Sequence, residues 1–133
     1  MEVTEDTIPT FDYIIKKLSD DYDLAYIHLS EPFTDVTNVP HAEPDIAKRY
    51  RPMYKGNLMI NTGFTQSTGN KVIRDGDADM VSFAKLYVSN PDLVGRFREE
   101  ADTSGWDKDT FYTQGEEGYL DYEAETRELI PQQ

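Results

Sequence analysis

The sequence predicts an α/β protein in which short, buried strands alternate with helices. Three apolar runs, at residues 24–29, 58–60 and 80–83, are too short for the helices of a globular protein and apolar enough for strands that are covered on both faces. Helical patterns precede the first run and follow the other two. This alternation is typical of a parallel sheet, whose ligands bind at the carboxyl ends of the strands. Residues 61–64 and 84–85 occupy such ends and are the first candidates for a site.

Composition limits both the class of protein and its partners. The 133 residues are enough for one domain, and the formal net charge of -13 disfavours nucleic acid and anionic membrane surfaces as partners. The absence of cysteine excludes disulfides, thiolate metal sites and a cysteine nucleophile. The N-terminal stretch lacks the features of a signal peptide, and no apolar run approaches the ~20 residues of a membrane span. We therefore expect a soluble, cytoplasmic protein.

Helical signals surround the strands. Apolar residues recur at helical spacing over residues 11–18 and predict an amphipathic helix. A second helix is predicted at residues 65–75, with Val72 and Ile73 facing the core. Asn90, directly before a proline, suits the N-cap of a third helix.

Two long segments lack a regular period. The connection at residues 33–57 is interrupted by prolines, and only residues 43–54 suit a short helix. Its Arg49 and Arg51 either contact an anion or pair with nearby acids, which is the commoner arrangement. The tail at residues 102–133 is rich in aromatic residues and is expected to fold across the rest of the protein.

The predicted sheet is incomplete by itself. Three parallel strands leave two apolar edges whose backbone groups are unpaired. A complete β/α barrel takes about 250 residues, so this chain has room for only part of one. The spacing is compatible with a small α/β sheet or with a barrel fragment and does not decide between them. Open edges also predict that the isolated chain associates with other strands.

Three sequence segments are more specific. LAYIHLSEP at 24–32, ADMVSFAKLYVSNPDLVGRF at 78–97 and DTFYTQGEEGYLDY at 109–122 resemble the C-terminal third of the old yellow enzyme family. These are FMN-dependent ene-reductases that include oxophytodienoate reductases and trypanosomatid prostaglandin F synthases. The resemblance covers nearly the whole chain, in order. It implies a partial TIM barrel in which residues 1–133 form one segment, with the sixth to eighth strand-helix units and the C-terminal tail.

The resemblance implies that the FMN phosphate binds where the seventh and eighth strands end, at Thr62, Gly63, Phe64, Ala84 and Lys85. Gly63 has no Cβ, so its N–H can approach an anion closely, and Lys85 offers a positive charge. The family usually has Gly-Arg where this chain has Ala84 and Lys85, so a point charge replaces a planar fork of donors. By themselves, Gly63 fits an ordinary tight turn and Lys85 a solvated surface charge.

Other side chains are weaker candidates. Tyr112 matches an aromatic residue that lines the substrate pocket in the family, and it equally fits a packing role in the tail. His28 matches no catalytic position of the family and is expected to be a hydrogen-bonded structural residue. His41 lacks partners at metal-ligand spacing. No catalytic residue and no metal site are assigned.

The resemblance also implies a reaction and a partner. In the family, NAD(P)H reduces FMN, and the flavin delivers hydride to the β-carbon of an α,β-unsaturated carbonyl compound. The groups that bind and protonate the substrate come from barrel units that this chain lacks. The chain is then either part of such an oxidoreductase, completed by an N-terminal barrel portion or by self-association through its sheet edges, or a truncated, inactive relative that does not bind FMN alone.

Overall fold

A computed structural model describes residues 3–124, which fall into two compact units divided between Ser82 and Phe83. The part of the predicted tail beyond residue 124 lies outside the described residues. Within residues 3–124, no helix is both long enough and apolar enough to cross a membrane.

The first unit alternates helices and parallel strands. Its elements are α1 (Thr7–Asp21), β1 (Ile27–Ser30), α2 (Ile46–Tyr50), a 3-10 helix (Arg51–Met53), β2 (Leu58–Asn61), α3 (Gln66–Arg74) and β3 (Met80–Val81). The predicted helices at 11–18 and 65–75 and the three predicted strands are confirmed, although β1 begins later and β3 ends earlier than the sequence suggested. Residues 33–57, predicted as a long connection, contain α2 and the 3-10 helix.

The strands form one parallel sheet in the order β1-β2-β3. Ile27 lies opposite Leu58 in the β1–β2 pair, and Ile60 lies opposite Val81 in the β2–β3 pair. Because side chains alternate along a strand, this register separates two faces. One face carries the apolar side chains Ile27, Leu29, Leu58, Ile60 and Val81. The opposite face, called the open face below, carries His28, Ser30, Met59, Asn61, Met80 and, just beyond β3, Ser82.

The core of the first unit lies between the apolar face and the helices. Leu58 and Ile60 on the central strand are completely buried. Burying one such side chain contributes ~1.5–3 kcal/mol, so β2 anchors the unit. Residues from outside the sheet complete the buried cluster: Ile15, Ala47, Tyr50, Tyr54 and Ala78.

The prediction for the inward face of α3 is half right. Val72 packs against the core, whereas Ile73 is 45% exposed. Successive residues of a helix point about 100° apart, which follows from 3.6 residues per turn, so the two side chains cannot share one narrow stripe. Val72 is the one of the two that faces the core.

The second unit contains α4 (Lys85–Ser89), α5 (Leu93–Glu99) and a 3-10 helix (Lys108–Thr110). The prediction that Asn90 caps the following helix is wrong, because Asp92 is the N-cap of α5. Asn90 is instead completely buried. Its Nδ2 donates to the carbonyl oxygens of Leu86 at 2.8 Å and Ser104 at 3.0 Å, and its Oδ1 accepts the N–H of Ser104 at 2.7 Å. The residue joins α4 to the segment after α5.

A buried ion pair holds α5 in the second unit. Arg96 Nε donates to Asp92 Oδ1 at 2.8 Å, with side chains that are 2% and 0% exposed. Arg96 Nη1 also donates to the carbonyl oxygen of Asp102 at 2.9 Å. Because a buried charge is costly unless it is paired and hydrogen-bonded, this pair depends on all of these contacts.

Candidate functional site

The turn after β2 is the first part of the predicted phosphate site. Thr62 and Gly63 have φ angles of 80° and 78°, both in the left-handed region. A Cβ on Gly63 would meet no atom within 4 Å in the part of the chain that the structure describes, so its surroundings are open. Glycine is required at this position by backbone conformation and not by crowding. Thr62 adopts the same region at a steric cost.

The turn is fixed on its far side by the start of α3. Thr65 Oγ1 accepts the N–H of Thr68 at 3.3 Å, and Thr68 Oγ1 accepts the N–H of Thr65 at 2.8 Å. This reciprocal arrangement is a capping box built from two threonines. Phe64 packs against the hydrophobic core. The turn is therefore held between the sheet, the core and a capped helix.

An acidic cleft lies beside the turn. Thr62, Gly63 and Phe64 line a cavity of about 430 Å³. Five carboxylate residues share its lining: Glu31, Asp35, Asp45, Asp75 and Asp77. Lys71 is the single basic residue among the described lining residues, and its ammonium pairs with Asp75. The first unit therefore surrounds the turn with more negative than positive charge.

Hydrogen bonds organise three of these carboxylates. Glu31 accepts the N–H groups of Ile46 at 2.8 Å and Ala47 at 2.9 Å, at the start of α2. Burial raises the pKa of Glu31, although these two donors act in the opposite direction. The hydroxyl and N–H of Thr37 lower the pKa of Asp35, and the hydrogen bond from Lys71 lowers that of Asp75.

The remaining predicted site residues belong to the second unit. Ala84 is the N-cap residue of α4 and Lys85 is its first residue, and both are exposed. Lys85 forms no ion pair within the described part of its unit, residues 83–124. Tyr112 is 97% exposed, so it does not have the packing role that the sequence also allowed. The structure thus brings together Thr62, Gly63 and Phe64, while the other three residues are placed in a separate unit.

Three further expectations concern charged and histidine side chains. Arg49 pairs with Asp12 at 2.6 Å, and Arg51 pairs with Asp79 at 2.6 Å, so both arginines are neutralised by acids as the commoner interpretation predicted. His28 is hydrogen-bonded through Nε2 to Ser82 Oγ at 3.0 Å, as expected of a structural histidine. Within residues 3–124, no group of three or more histidine, aspartate or glutamate side chains could hold a metal ion.

Asn61 belongs to the candidate residues 61–64, but sequence reasoning assigned it no role; it follows the apolar part of β2. Its Nδ2 donates to both the carbonyl oxygen and Oγ of Ser82 at 2.9 Å, and its Oδ1 accepts from Thr62 Oγ1 at 3.0 Å. A polar side chain at the last position of an otherwise apolar strand was the available signal, because such a residue has to find partners at the strand ends.

A parallel sheet with helices on one face, an open opposite face and a glycine turn after the central strand is the arrangement of a segment of a β/α barrel. No protein-family model matches the chain. It is 32% identical over 111 residues to putative 12-oxophytodienoate reductase 6 of Oryza sativa subsp. japonica, which is 83% of this chain and 28% of that protein. It is 36% identical over 108 residues to 12-oxophytodienoate reductase 7 of the same plant, 74% of this chain and 27% of that protein.

Solved structures agree with the sequence relatives. The old yellow enzyme from Trypanosoma cruzi superposes with a TM-score of 0.78 and 26% identity, over 91% of this chain and 31% of that one. A variant of NCR from Zymomonas mobilis superposes with a TM-score of 0.75 and 33% identity, over 86% of this chain and 37% of that one. The chain is a partial TIM barrel and belongs to the old yellow enzyme family. It spans less than a third of the length of the two rice reductases.

Proposed function

We propose that this chain is part of an FMN-dependent oxidoreductase that uses NAD(P)H to reduce activated alkenes, namely α,β-unsaturated carbonyl compounds. In this proposal the chain contributes the phosphate end of the FMN site. The family to which it belongs supports the cofactor and the reaction class. The observation that carries the proposal is the left-handed Thr62-Gly63 turn at the carboxyl end of the central strand, where β/α barrels bind phosphate groups.

The backbone of the turn fits a phosphate group. The open space around Gly63 admits a large anion, and glycine N–H groups are good donors to phosphate. Thr62, Gly63, Phe64 and Ala84 would hold the phosphate through backbone groups, and Lys85 through its ammonium. Bound FMN supplies the hydride-transfer chemistry, while the protein supplies binding and orientation.

The charges of the first unit do not by themselves favour an anion. The cleft beside Gly63 carries five carboxylates, and its lysine is already paired. A positive charge from elsewhere is therefore needed, and Lys85 is the residue that we assign to this role. Its lack of an ion pair within residues 83–124 agrees with this assignment.

Tyr112 is proposed to form one wall of the substrate pocket. Its ring is 97% exposed, so it is available to contact a substrate. The proposal predicts that Tyr112→Ala raises the KM for an enone and leaves the bound flavin unchanged. Tyr119→Ala, at an exposed tyrosine of the same tail, is the matched control.

The partner is proposed to be the N-terminal portion of a β/α barrel, encoded by the same or a separate gene. Among the described strands, β1 and β3 each pair on one side only, so both outer edges of the sheet offer backbone groups to further strands. Self-association through these edges is the competing arrangement. Light scattering of the chain alone and with the partner distinguishes the two.

The proposed function is tested by coexpression with the N-terminal portion of 12-oxophytodienoate reductase 7. We expect a yellow complex with about one flavin per chain and NADPH-dependent reduction of an enone. Lys85→Met should lower the flavin content, whereas Lys16→Met, at an exposed lysine of α1, should not. A well-folded complex that is colourless and inactive would refute the proposal.

The alternative is a truncated, inactive relative that does not bind FMN alone. The excess of carboxylates around the turn is the observation that favours it. Titration of FMN with the isolated chain, followed by quenching of flavin fluorescence, separates the two interpretations. Tight, stoichiometric quenching would eliminate the alternative.

A further inference from the structure

A hydrogen-bond network crosses the open face of the sheet, from His28 within β1 to the carboxyl ends of β2 and β3. His28 Nε2 lies 3.0 Å from Ser82 Oγ. Asn61 Nδ2 donates to Ser82 Oγ and to the Ser82 carbonyl oxygen, both at 2.9 Å. Thr62 Oγ1 donates to Asn61 Oδ1 at 3.0 Å. The four residues belong to the first unit and link β1, β2 and β3 through side chains.

The donors and acceptors of this hydrogen-bond network fix the orientation of the Asn61 side-chain amide. Both hydrogens of its amide point towards Ser82, and its oxygen accepts from Thr62, so each polar atom is used. A flipped amide would place an oxygen against the carbonyl oxygen of Ser82, which is repulsive. Because Ser82 Oγ accepts from Asn61, its own hydrogen is available to His28 Nε2.

The hydrogen-bond network ends at Thr62, the strained residue of the turn. Thr62 has a φ of 80°, a conformation that residues other than glycine rarely adopt. The bond from its hydroxyl to Asn61 holds the side chain while the backbone is in this conformation. The direction of the next N–H, that of Gly63, depends on the same backbone angles.

We propose that Asn61 is a positioning residue for the phosphate-binding turn. It holds Thr62 in the left-handed conformation and thereby orients the N–H of Gly63, and it acts through Thr62 without contacting the phosphate. The expected effect of Asn61 on flavin binding rests on the proposed function. Its structural part, the control of the turn by Asn61, stands on the geometry of the first unit.

The first experiment measures the turn directly in the isolated chain. The amide ¹H–¹⁵N resonance of Gly63 is compared between the wild type, Asn61→Leu and Thr62→Val, which replaces the hydroxyl with a methyl group. Both variants should shift this resonance, and Asn70→Leu, at an exposed asparagine of α3, should not. If Thr62→Val and Asn61→Leu leave the Gly63 resonance unchanged, Asn61 does not position the turn. If Asn61→Leu does not fold, Thr62→Val still decides the question.

The second experiment measures the consequence in the coexpressed complex, with FMN and riboflavin as the two probes. Riboflavin lacks the phosphate, so the ratio of the two affinities reports the phosphate site. Asn61→Leu should weaken FMN binding by about fivefold, the equivalent of one hydrogen bond, without changing riboflavin binding. In a Thr62→Gly background, where glycine adopts the positive φ freely, the same substitution should have less than about half of this effect.

The outcomes separate the two proposals. If the wild-type complex binds FMN no better than riboflavin, the phosphate site of the proposed function fails, while the Gly63 resonance still tests the role of Asn61. If the wild type prefers FMN and Asn61→Leu keeps the full preference, the positioning role is overturned. A loss of FMN preference that Thr62→Gly rescues supports it.

Discussion

Replacing Arg96 by methionine should destabilise the second unit by about 3–5 kcal/mol. The Arg96 and Asp92 side chains are 2% and 0% exposed and are joined by a bond of 2.8 Å. Methionine fills a similar volume but removes the guanidinium that pairs with the buried carboxylate of Asp92. It also removes the donor to the carbonyl oxygen of Asp102. An exposed pair such as Lys17 with Asp21 on α1 contributes far less to stability, because water screens the two charges.

The second unit contains the single tryptophan of the chain, Trp106, so its fluorescence reports this unit during urea unfolding. With a urea dependence of about 1–3 kcal/mol per molar, a loss of 3 kcal/mol lowers the midpoint by at least about 1 M. Arg98→Met is the matched control, because it removes the same charge from an exposed position of the same helix. We expect the control to change the free energy of unfolding by less than about 0.5 kcal/mol.

A double variant separates the buried charge from the lost hydrogen bonds. Asp92→Leu combined with Arg96→Met removes both charges and should recover a large part of the stability lost in Arg96→Met alone. If the double variant is as unstable as the single one, the cost comes from the bond to Asp102 and not from the loss of the ion pair. If Arg96→Met shifts the midpoint no more than Arg98→Met does, the inferred cost of the pair is refuted.

Three further predictions concern the first unit and the tail. Gly63→Ala should lower the free energy of unfolding by about 1–2 kcal/mol, because alanine is strained at a φ of 78°. Circular dichroism in urea measures this loss. Gly105→Ala is the control, and an equal loss in that variant would contradict the reasoning. The raised pKa of Glu31 means that its contribution to stability is complete below its ordinary pKa of 4.5 and is lost as the pH rises through its folded value. Urea midpoints of the wild type should therefore fall relative to Glu31→Gln across this range, and a relative rise would be inconsistent with burial as the dominant cause. Tyr112→Ala should change stability by less than about 0.5 kcal/mol, since the ring is 97% exposed, and a larger loss in thermal unfolding would show that it packs in solution.

Local sequence patterns correctly predicted the strands, helices and turns that depend mainly on neighbouring residues. The apolar run of β2 is buried because it is central, and two strands flank it. The helix at 65–75 follows from its N-cap at Thr65 and ends near Asp75, where the sequence places turn residues. Gly63 was predicted at a turn, and its φ of 78° confirms that glycine is needed there.

Long-range contacts explain what the patterns missed. Asn90 has a strong local signature for an N-cap, yet its amide is used by Ser104, which lies 14 residues further along the chain. No local pattern shows that a backbone carbonyl from so far away requires a donor. α4 was also missed, because five residues are too few for a helical period to be recognised.

The residues of the candidate site were predicted from the resemblance. The distribution of charge around the site could not be predicted from the sequence. The acidic residues of the cleft come from widely separated positions between Glu31 and Asp77, so only the fold shows that they surround the turn after β2. Charges of opposite sign elsewhere in the unit, such as Arg49 and Arg51, are already paired with acids. The excess of negative charge beside Gly63 is therefore not balanced by the arginines of the same unit.

This charge distribution predicts how FMN binding depends on salt. Salt screens exposed charges over about 8–10 Å, so it weakens attraction by Lys85 and also repulsion by the carboxylates of the cleft. If Lys85 supplies the dominant charge, as proposed, FMN affinity in the coexpressed complex should fall with added sodium chloride. In Lys85→Met only the repulsion remains, so affinity should be lower at low salt and should rise as salt is added. Riboflavin, which lacks the phosphate, should show neither trend, and parallel salt slopes for wild type and Lys85→Met would mean that Lys85 does not act on the phosphate.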